Sequence, residues 1–352
     1  MVLLNTRIEK LLSALEEASI DNIIITDPKH MHYYSGFYNG EGYLLMGKCG
    51  KFIVTDSRYT EYAKGLDTGF EVCDITEKSL SSFLDPKSPL AFEDKHMTYS
   101  QFAKFSELHS NFIPCGDMAV KPREIKDESE IECIKKAAQI ADKAFGYVCS
   151  IIRNGMTEKD VKAEIDCFMK RIGAEDPSFP TIVAAGERGS LPHAAASDRP
   201  LKYGDLVVMD FGCIVDGYAS DMTRTVAIGD ITEECEMVYN TVLSAQKKAL
   251  SGIKSGMAAK DIDSLARDII DKAYPRRFGH ALGHSVGLDI HEAPNLSPKN
   301  EKPLLAKNVV TVEPGIYIPN MCGVRIEDLV VVTDEGYENL THSPKELIKI
   351  NI

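Results

Sequence analysis

The 352-residue chain lacks the surface and the segments that would suit nucleic acid or a membrane. Its 40 lysines and arginines are outnumbered by 53 aspartates and glutamates, a net charge of −13, and no basic run counters that balance. Nucleic acid and anionic membrane surfaces are poor partners for such a surface. No segment reaches the roughly 18 consecutive apolar residues of a membrane-spanning helix, and the opening M-V-L-L-N-T-R-I-E-K-L-L turns charged too soon for a secretory leader. A cytoplasmic protein is expected. The nine cysteines (Cys49, Cys73, Cys115, Cys133, Cys149, Cys167, Cys213, Cys235, Cys322) are odd in number and scattered, with no C-x-x-C. That excludes a disulfide framework and a thiolate metal site and reads as reduced, mostly buried thiols, Cys213 and Cys322 being small core residues. The phosphate-cradling fingerprints G-x-x-x-x-G-K-[ST] and G-x-G-x-x-G are also missing, and Gly40-Glu41-Gly42 signals no more than a turn. A nucleotide role has no support.

The length suits two domains at about 150 residues each. Apolar residues recur at Ile8, Leu11, Leu12 and Leu15, which predicts an amphipathic helix over 6–19. Strands are expected at 22–26, 43–47, 51–56 and 89–94, with helices at S-R-Y-T-E-Y-A-K and T-Y-S-Q-F-A-K-F-S-E-L. Alternation of this kind predicts a small α/β domain ending near Cys115-Gly116. The charged, proline-bearing segment V-K-P-R-E-I-K-D-E-S-E-I marks the junction, so the domains are 1–120 and 121–352. A long amphipathic helix is expected from Glu128 to Arg153, stopping at Asn154-Gly155, and another begins near Met156.

That arrangement recurs. I-I-R-N-G-M-T-E-K-D-V-K matches S-G-I-K-S-G-M-A-A-K-D-I-D, with Gly155 falling on Gly256, Asp210 on Glu313 and Asp221 on Glu327. Each half supplies two helices and a hairpin carrying two acids, an internal repeat whose halves meet at the acids. Asp216-Gly217 is a tight-turn signal, and a two-residue hairpin centred there pairs Gly212 with Asp221. Asp210 shares a face with Gly212, so it stands diagonally across from Asp221. A looser turn over Pro319 to Gly323, centred on Asn320, sets Glu313 opposite Glu327.

One such acid alone would be a solvated strand end. Four of them, in β-branched runs beside His284, are another matter, because a buried unpaired carboxylate costs several kcal/mol or neutralises itself. They need a cation and hold enough charge for two divalent ions. Oxygen-rich ligation with one imidazole suits Mn²⁺, with Co²⁺ and Zn²⁺ as alternatives. Two ions about 3.5–4 Å apart, bridged by Asp210 and Glu327 and holding a hydroxide between them, make a hydrolase. Glu313 is the candidate base for the water's proton.

The segments M-D-F-G, S-D-M-T-R-T, G-H-S-V-G-L-D-I-H-E, V-E-P-G-I-Y and G-V-R-I-E-D resemble the Xaa-Pro aminopeptidase and prolidase branch of the pita-bread metallopeptidases. The resemblance runs from Pro122 to the C-terminus, and the N-terminal domain is similar, more weakly, to the creatinase-type domain of that branch. The fold it implies is an α/β N-terminal creatinase-like domain plus an α+β pita-bread catalytic domain with an internal pseudo-two-fold repeat. It implies that Asp221 chelates one metal, that His284 and Glu313 bind the other, and that Asp210 and Glu327 bridge. L-P-H-A-A-A-S-D-R makes His193 a substrate-binding and transition-state residue. His291 matches the histidine that stabilises the tetrahedral intermediate, His280 one lining the proline pocket, and Arg325 an arginine that orients ligands.

The activity implied is cleavage of the bond between an N-terminal residue and a following proline, so the partners are proline-containing peptides. General peptidases handle that tertiary amide badly, because it lacks an N–H and fixes φ. In the dipeptidases of this branch a basic residue tends to follow H-E-x-P and grip the substrate's carboxylate, whereas this chain has Asn295 there. An Xaa-Pro aminopeptidase is therefore the first reading and an Xaa-Pro dipeptidase the alternative. A non-catalytic peptide-binding protein is the remote one, marked elsewhere by lost ligands, and none is lost here. A homodimer is expected too, with the N-terminal domain narrowing access to the site.

Overall fold

The structure, a computed structural model, describes residues 2–153 and 155–351. They divide into two compact units between Arg123 and Glu124. Asn154, expected to help end the long helix, lies outside the described residues.

The first unit runs α1 (Val2–Glu17), β1 (Asn22–Ile25), α2 (Pro28–Ser35), β2 (Tyr43–Gly47), β3 (Gly50–Thr55), α3 (Thr60–Gly65), β4 (Glu71–Asp74), β5 (Leu90–Phe92), α4 (Tyr99–Leu108) and β6 (Phe112–Pro114). The strands form one mixed sheet in the order β4-β3-β2-β1-β5-β6. Ile23, Ile24 and Ile25 on the central β1 are fully buried, as a strand covered on both faces requires. The sequence reading omitted α2, β4 and β6. Both strands are short edges of that sheet, while α2 is an eight-residue helix begun by an Asp27 cap on Lys29 N and stopped by Gly36 at φ 70°.

The second unit opens with α5 (Glu128–Ile151) and α6 (Glu158–Arg171), then β7 (Ile182–Ala185), β8 (Leu206–Phe211), β9 (Ile214–Val215), β10 (Tyr218–Ala219) and β11 (Met222–Ile228). The second half repeats the plan with α7 (Glu233–Leu250), α8 (Ala259–Ala273), β12 (Gly283–Ser285), β13 (Glu292–Leu296), β14 (Val309–Val312), β15 (Gly315–Ile318), β16 (Cys322–Arg325) and β17 (Asp328–Val332). β18 (Tyr337–Asn339) and β19 (Lys349–Ile350) close the chain. Helix α5 starts at Asp127, which caps Ser129 and Glu130 while Glu130 reaches back to the cap, and α6 starts at Thr157 paired in the same way with Asp160. Such reciprocal caps satisfy donors that the first turn leaves orphaned. Helix α5 ends at Ile151, two residues before the expected Arg153.

The internal repeat is a matter of bonds as well as order. Gly155 and Gly256 hold φ of 88° and 86°. The isolated bridge Thr157–Pro200 in the first half has its counterpart in Ala258–Pro303 in the second. Leu201 N donates to Met156 O in one half, as Leu304 N does to Met257 O in the other.

Strand alternation decides which side chains meet the helices. Val207, Met209 and Phe211 of β8 pack into a core with Phe145, Val161 and Ile165 of α5 and α6. Val310 and Val312 of β14, with Val330 and Val332 of β17, pack into a second core with Val238, Val242 and Ile262. The alternate positions, Asp210 and Thr223 in one half and Thr311 and Arg325 in the other, point away from those helices. The two inner faces are stitched together where Glu327 N donates to Thr223 O at 3.1 Å and Thr225 Oγ1 to Arg325 O at 2.9 Å.

Candidate metal centre

Both hairpins adopt the expected registers. Asp210 pairs with Thr223 and Phe211 with Met222, and Val215 pairs with Tyr218 across the turn in the same register. Asp216 and Gly217 sit at φ 49° and 79°, the two left-handed positions of a type I′ turn. Gly212 therefore falls opposite Asp221, where a Cβ would lie 1.9 Å from the Ser220 carbonyl oxygen. In the second hairpin Val312 pairs with Asp328 and Gly315 with Arg325, so Glu313 falls opposite Glu327. Regular pairing lapses at these acids in both hairpins: β8/β11 and β14/β17 end beside them and the two-stranded ribbons β9/β10 and β15/β16 begin beyond. A lapse in the ladder turns side chains out of the regular alternation, a usual place for functional groups.

The acids and His284 converge. His284 Nε2 lies 3.3 Å from Glu313 Oε1 and 3.6 Å from Asp221 Oδ2, and ligand atoms of Asp221, His284 and Glu327 all lie within 4.8 Å of one another. His284 Nδ1 stands 3.2 Å from the Ser285 carbonyl, which can only accept, so Nδ1 donates and Nε2 is left to the carboxylates. Arg325 Nη2 donates to Asp210 Oδ2 at 2.5 Å, and Thr223 Oγ1 donates to Glu327 Oε2 at 2.7 Å. The opposite carboxylate oxygens, Asp210 Oδ1, Asp221 Oδ1 and Glu327 Oε1, are buried without a hydrogen-bond partner.

Burial and the neighbouring Glu327, Asp210 and Glu313 charges push Asp221 well above the usual carboxylate range. Burial, then the Glu313 and Asp210 charges, does the same to Glu327. Asp210 is raised by burial even though Arg325 opposes the shift. For Glu313 burial acts upward, but the hydrogen bond and charge of His284 outweigh it and hold the carboxyl low. His284 is correspondingly raised, its burial overcome by Glu313. Four acids in one place, three of them with an oxygen facing nothing, form a set of hard donors that fits divalent cations, and this disposition is what such ions require.

The remaining expected residues gather round a cavity of about 690 Å³ that His193, His280, His291, Asn295 and Arg325 line together with the acids. The His291 ring packs edge-on against His284 with centroids 4.4 Å apart. Burial, followed by the His284 charge, lowers the His291 pKa, so its ring is held neutral. His280 Nε2 lies 3.0 Å from the Tyr317 hydroxyl, and burial likewise lowers its pKa. His193 is exposed on the cavity wall.

The sequence reading missed three supporting residues. Thr223 stands between Arg325 and Glu327, accepting from Arg325 Nε at 3.0 Å and donating onward to Glu327; the hairpin register that placed Asp210 opposite residue 223 was the available signal. Tyr317 joins His280 to Arg325 Nη1, which it meets at 2.9 Å. Lys126, its side chain fully buried, donates to Ser285 Oγ at 2.7 Å and pairs with Glu292 at 3.1 Å, tying down both ends of the segment that carries His284 and His291.

Residues 132–334 match the metallopeptidase family M24, and residues 7–125 match the Creatinase/Prolidase N-terminal domain. The chain belongs to metallopeptidase family M24. Within this family it is 40% identical to the Xaa-Pro dipeptidase of Pyrococcus furiosus, over 97% of this chain and 99% of that protein. Among solved structures it is similar to the Xaa-Pro dipeptidase from Bacillus anthracis, with a TM-score of 0.94 and 42% identity over 99% of this chain and 100% of the other. It is also similar to the X-Pro aminopeptidase from Thermotoga maritima, with a TM-score of 0.88 and 38% identity over 98% and 99% of the two chains. The M24 protein is therefore a metallopeptidase hydrolase of the Xaa-Pro branch with the two-domain creatinase-plus-pita-bread architecture. Among its described residues no helix is long and apolar enough to cross a membrane.

Proposed function

We propose that this M24 protein is an Xaa-Pro dipeptidase working with two divalent ions, Mn²⁺ by preference, held by Asp210, Asp221, His284, Glu313 and Glu327. The carrying observation is the set of three buried carboxylate oxygens without partners around His284. The dipeptidase reading, second on the sequence alone, comes first here because whole-length relatives at 40% and 42% identity bear that name. Asn295 weighs less than it did, since one position on a cavity wall is not the only place from which a substrate carboxylate can be held.

In this reading Asp210, Asp221, His284, Glu313 and Glu327 together would hold the ions. Divalent ions in such a site supply Lewis acidity and acidify water to near neutrality. The protein's own groups do the rest. Glu313, kept ionised by His284, takes the proton of the attacking water and returns it to the proline nitrogen, which cannot leave as an anion. Neutral His291 donates its ring N–H to the scissile carbonyl oxygen as that oxygen gains charge, and His193, on the same cavity, holds the substrate. Arg325 keeps Asp210 oriented and offsets part of its charge.

The test is hydrolysis of Ala-Pro and Ala-Pro-Ala by Mn²⁺-loaded protein, with Asp221→Asn as the control. Preference for the dipeptide is expected, and cleavage of the tripeptide alone would restore the aminopeptidase reading. The homodimer belongs to the same proposal; sedimentation equilibrium of an active monomer would remove it.

A further inference from the structure

Three cationic side chains line the cavity, Arg325, Lys159 and Lys162. Arg325 is committed within the protein, bonding Asp210, Thr223, Tyr317 and the Pro192 carbonyl. The two lysines are placed differently. They stand three residues apart in the first turns of α6, so they share one face of that helix.

Lys159 Nζ meets Asp198 at 2.9 Å, with the two side chains 56% and 84% exposed. A pair so exposed contributes at most about 1 kcal/mol and exchanges readily for another partner. Lys162 Nζ meets Asp166 Oδ2 at 2.8 Å, while Asp166 Oδ1 accepts from Thr181 Oγ1 at 2.5 Å. Thr181 adjoins Ile182, which lies directly opposite Asp210 in the β7–β8 ladder. Asp166 thus anchors the Lys162 ammonium beside β7, the end strand of its sheet, on the wall of the cavity that Asp210 also lines. An ammonium has three hydrogens to donate, and each of these two spends only part of that capacity on its aspartate. Two ammonium groups on the wall of a substrate cavity, Lys162 held by Asp166 and Lys159 free to exchange Asp198 for another anion, are a receptor for a carboxylate.

We propose that Lys159 and Lys162 form a subsite for a carboxylate of the substrate. The proposal rests on the peptidase reading above and deepens it. That carboxylate has two sources in an Xaa-Pro peptide: the C-terminus of a dipeptide, or the side chain of an acidic first residue.

The experiment compares the Mn²⁺-loaded wild type with Lys159→Met/Lys162→Met and Lys159→Arg/Lys162→Arg. Each is assayed on Ala-Pro against Ala-Pro-amide, and on Glu-Pro-amide against Gln-Pro-amide. The readout is the ratio of kcat/KM within each pair, which a general loss of fold or metal does not move. The methionine variant should lower one ratio about tenfold, the usual worth of a charge-assisted hydrogen bond, and the arginine variant should keep it. A fall in the first pair assigns the C-terminal carboxylate, and a fall in the second assigns an acidic first residue. Unchanged ratios in both pairs overturn the subsite. A wild type that spares Ala-Pro yet cleaves the amides removes the dipeptidase reading and leaves the second pair to decide the subsite. One that cleaves none of the four removes both.

Discussion

Chelation should make this metallopeptidase progressively less stable as the pH is raised from about 5.5 to about 8, and Asp221→Asn should undo part of that loss. In an unfolded chain Asp221, Glu327 and Asp210 give up their protons near pH 4. Folded, burial and mutual repulsion raise all three. Above the unfolded value the native state therefore holds protons that the unfolded chain has lost, and stability falls with pH. His284 acts in the same direction: its raised folded value contributes stability that is present below about 6.5 and lost as the pH passes the folded value. Glu313, held low, contributes above its unfolded value near 4.5 and loses only in acid, so it is silent in this window. Each retained proton is worth about 1.4 kcal/mol per pH unit. For a domain of this size that is about 3–6 °C per pH unit in melting temperature. Bound ions take the place of those protons, so the melting difference between Mn²⁺-loaded and chelated protein should widen with pH. Asp221→Asn removes one raised carboxyl, so the chelated variant should melt at least about 3 °C above chelated wild type near pH 8. The same variant should have lost turnover and most of its stabilisation by Mn²⁺. Calorimetric melts with and without chelator are the assay. A flat or rising curve for chelated wild type, or a chelated Asp221→Asn that melts below it at pH 8, refutes the account of the site as repelling buried acids.

Four other outcomes follow from the geometry. Arg325→Met, which strips Asp210 of its partner, should weaken Mn²⁺ binding by about 10–100-fold in a calorimetric titration. His291→Ala should lower kcat by about 10²–10³ with little change in KM, the signature of a donor that matters as the carbonyl oxygen gains charge. Gly212→Ala places a Cβ 1.9 Å from the Ser220 carbonyl oxygen and should cost about 3 kcal/mol or more, read from the urea midpoint. Asp328→Asn leaves the buried Arg224 guanidinium, which it meets at 2.8 Å, without its charge partner; a loss of about 3–5 kcal/mol is expected in the same assay.

The convergence of the candidate metal ligands was legible because its geometry is set by local rules. A turn that demands left-handed φ at Asp216 and Gly217 pins the first hairpin register. Once a register is pinned, period two assigns every side chain to a face. The repeat supplied a second estimate of the same arrangement, and paired glycines with φ near 87° bear it out. The elements that escaped the sequence reading carry weak local signals. Strands β4 and β6 are four and three residues long and lie at sheet edges, where one exposed side blurs the alternation. Asn295 could not decide between the two activities for a related reason: a single side-chain identity says nothing about which cations surround the same cavity, and only the assembled walls bring Lys159 and Lys162 there.

What the sequence by itself determined is the inventory and its pairing: four acids on two hairpins with a histidine between them in the chain, helix starts at Glu128 and near Met156, and the family to which these segments are similar. Each depends on contacts between residues close in the chain, where spacing and residue type suffice. Tertiary structure alone decided what the groups feel. Arg224 reaches Asp328, and Thr223 reaches Glu327, across more than a hundred residues, as Lys126 reaches Glu292 across 166. No periodicity encodes such partners. Whether an acid is raised, like Asp221, or held low, like Glu313, depends on burial and on charges brought near by packing, which exist only once both halves have closed on one another.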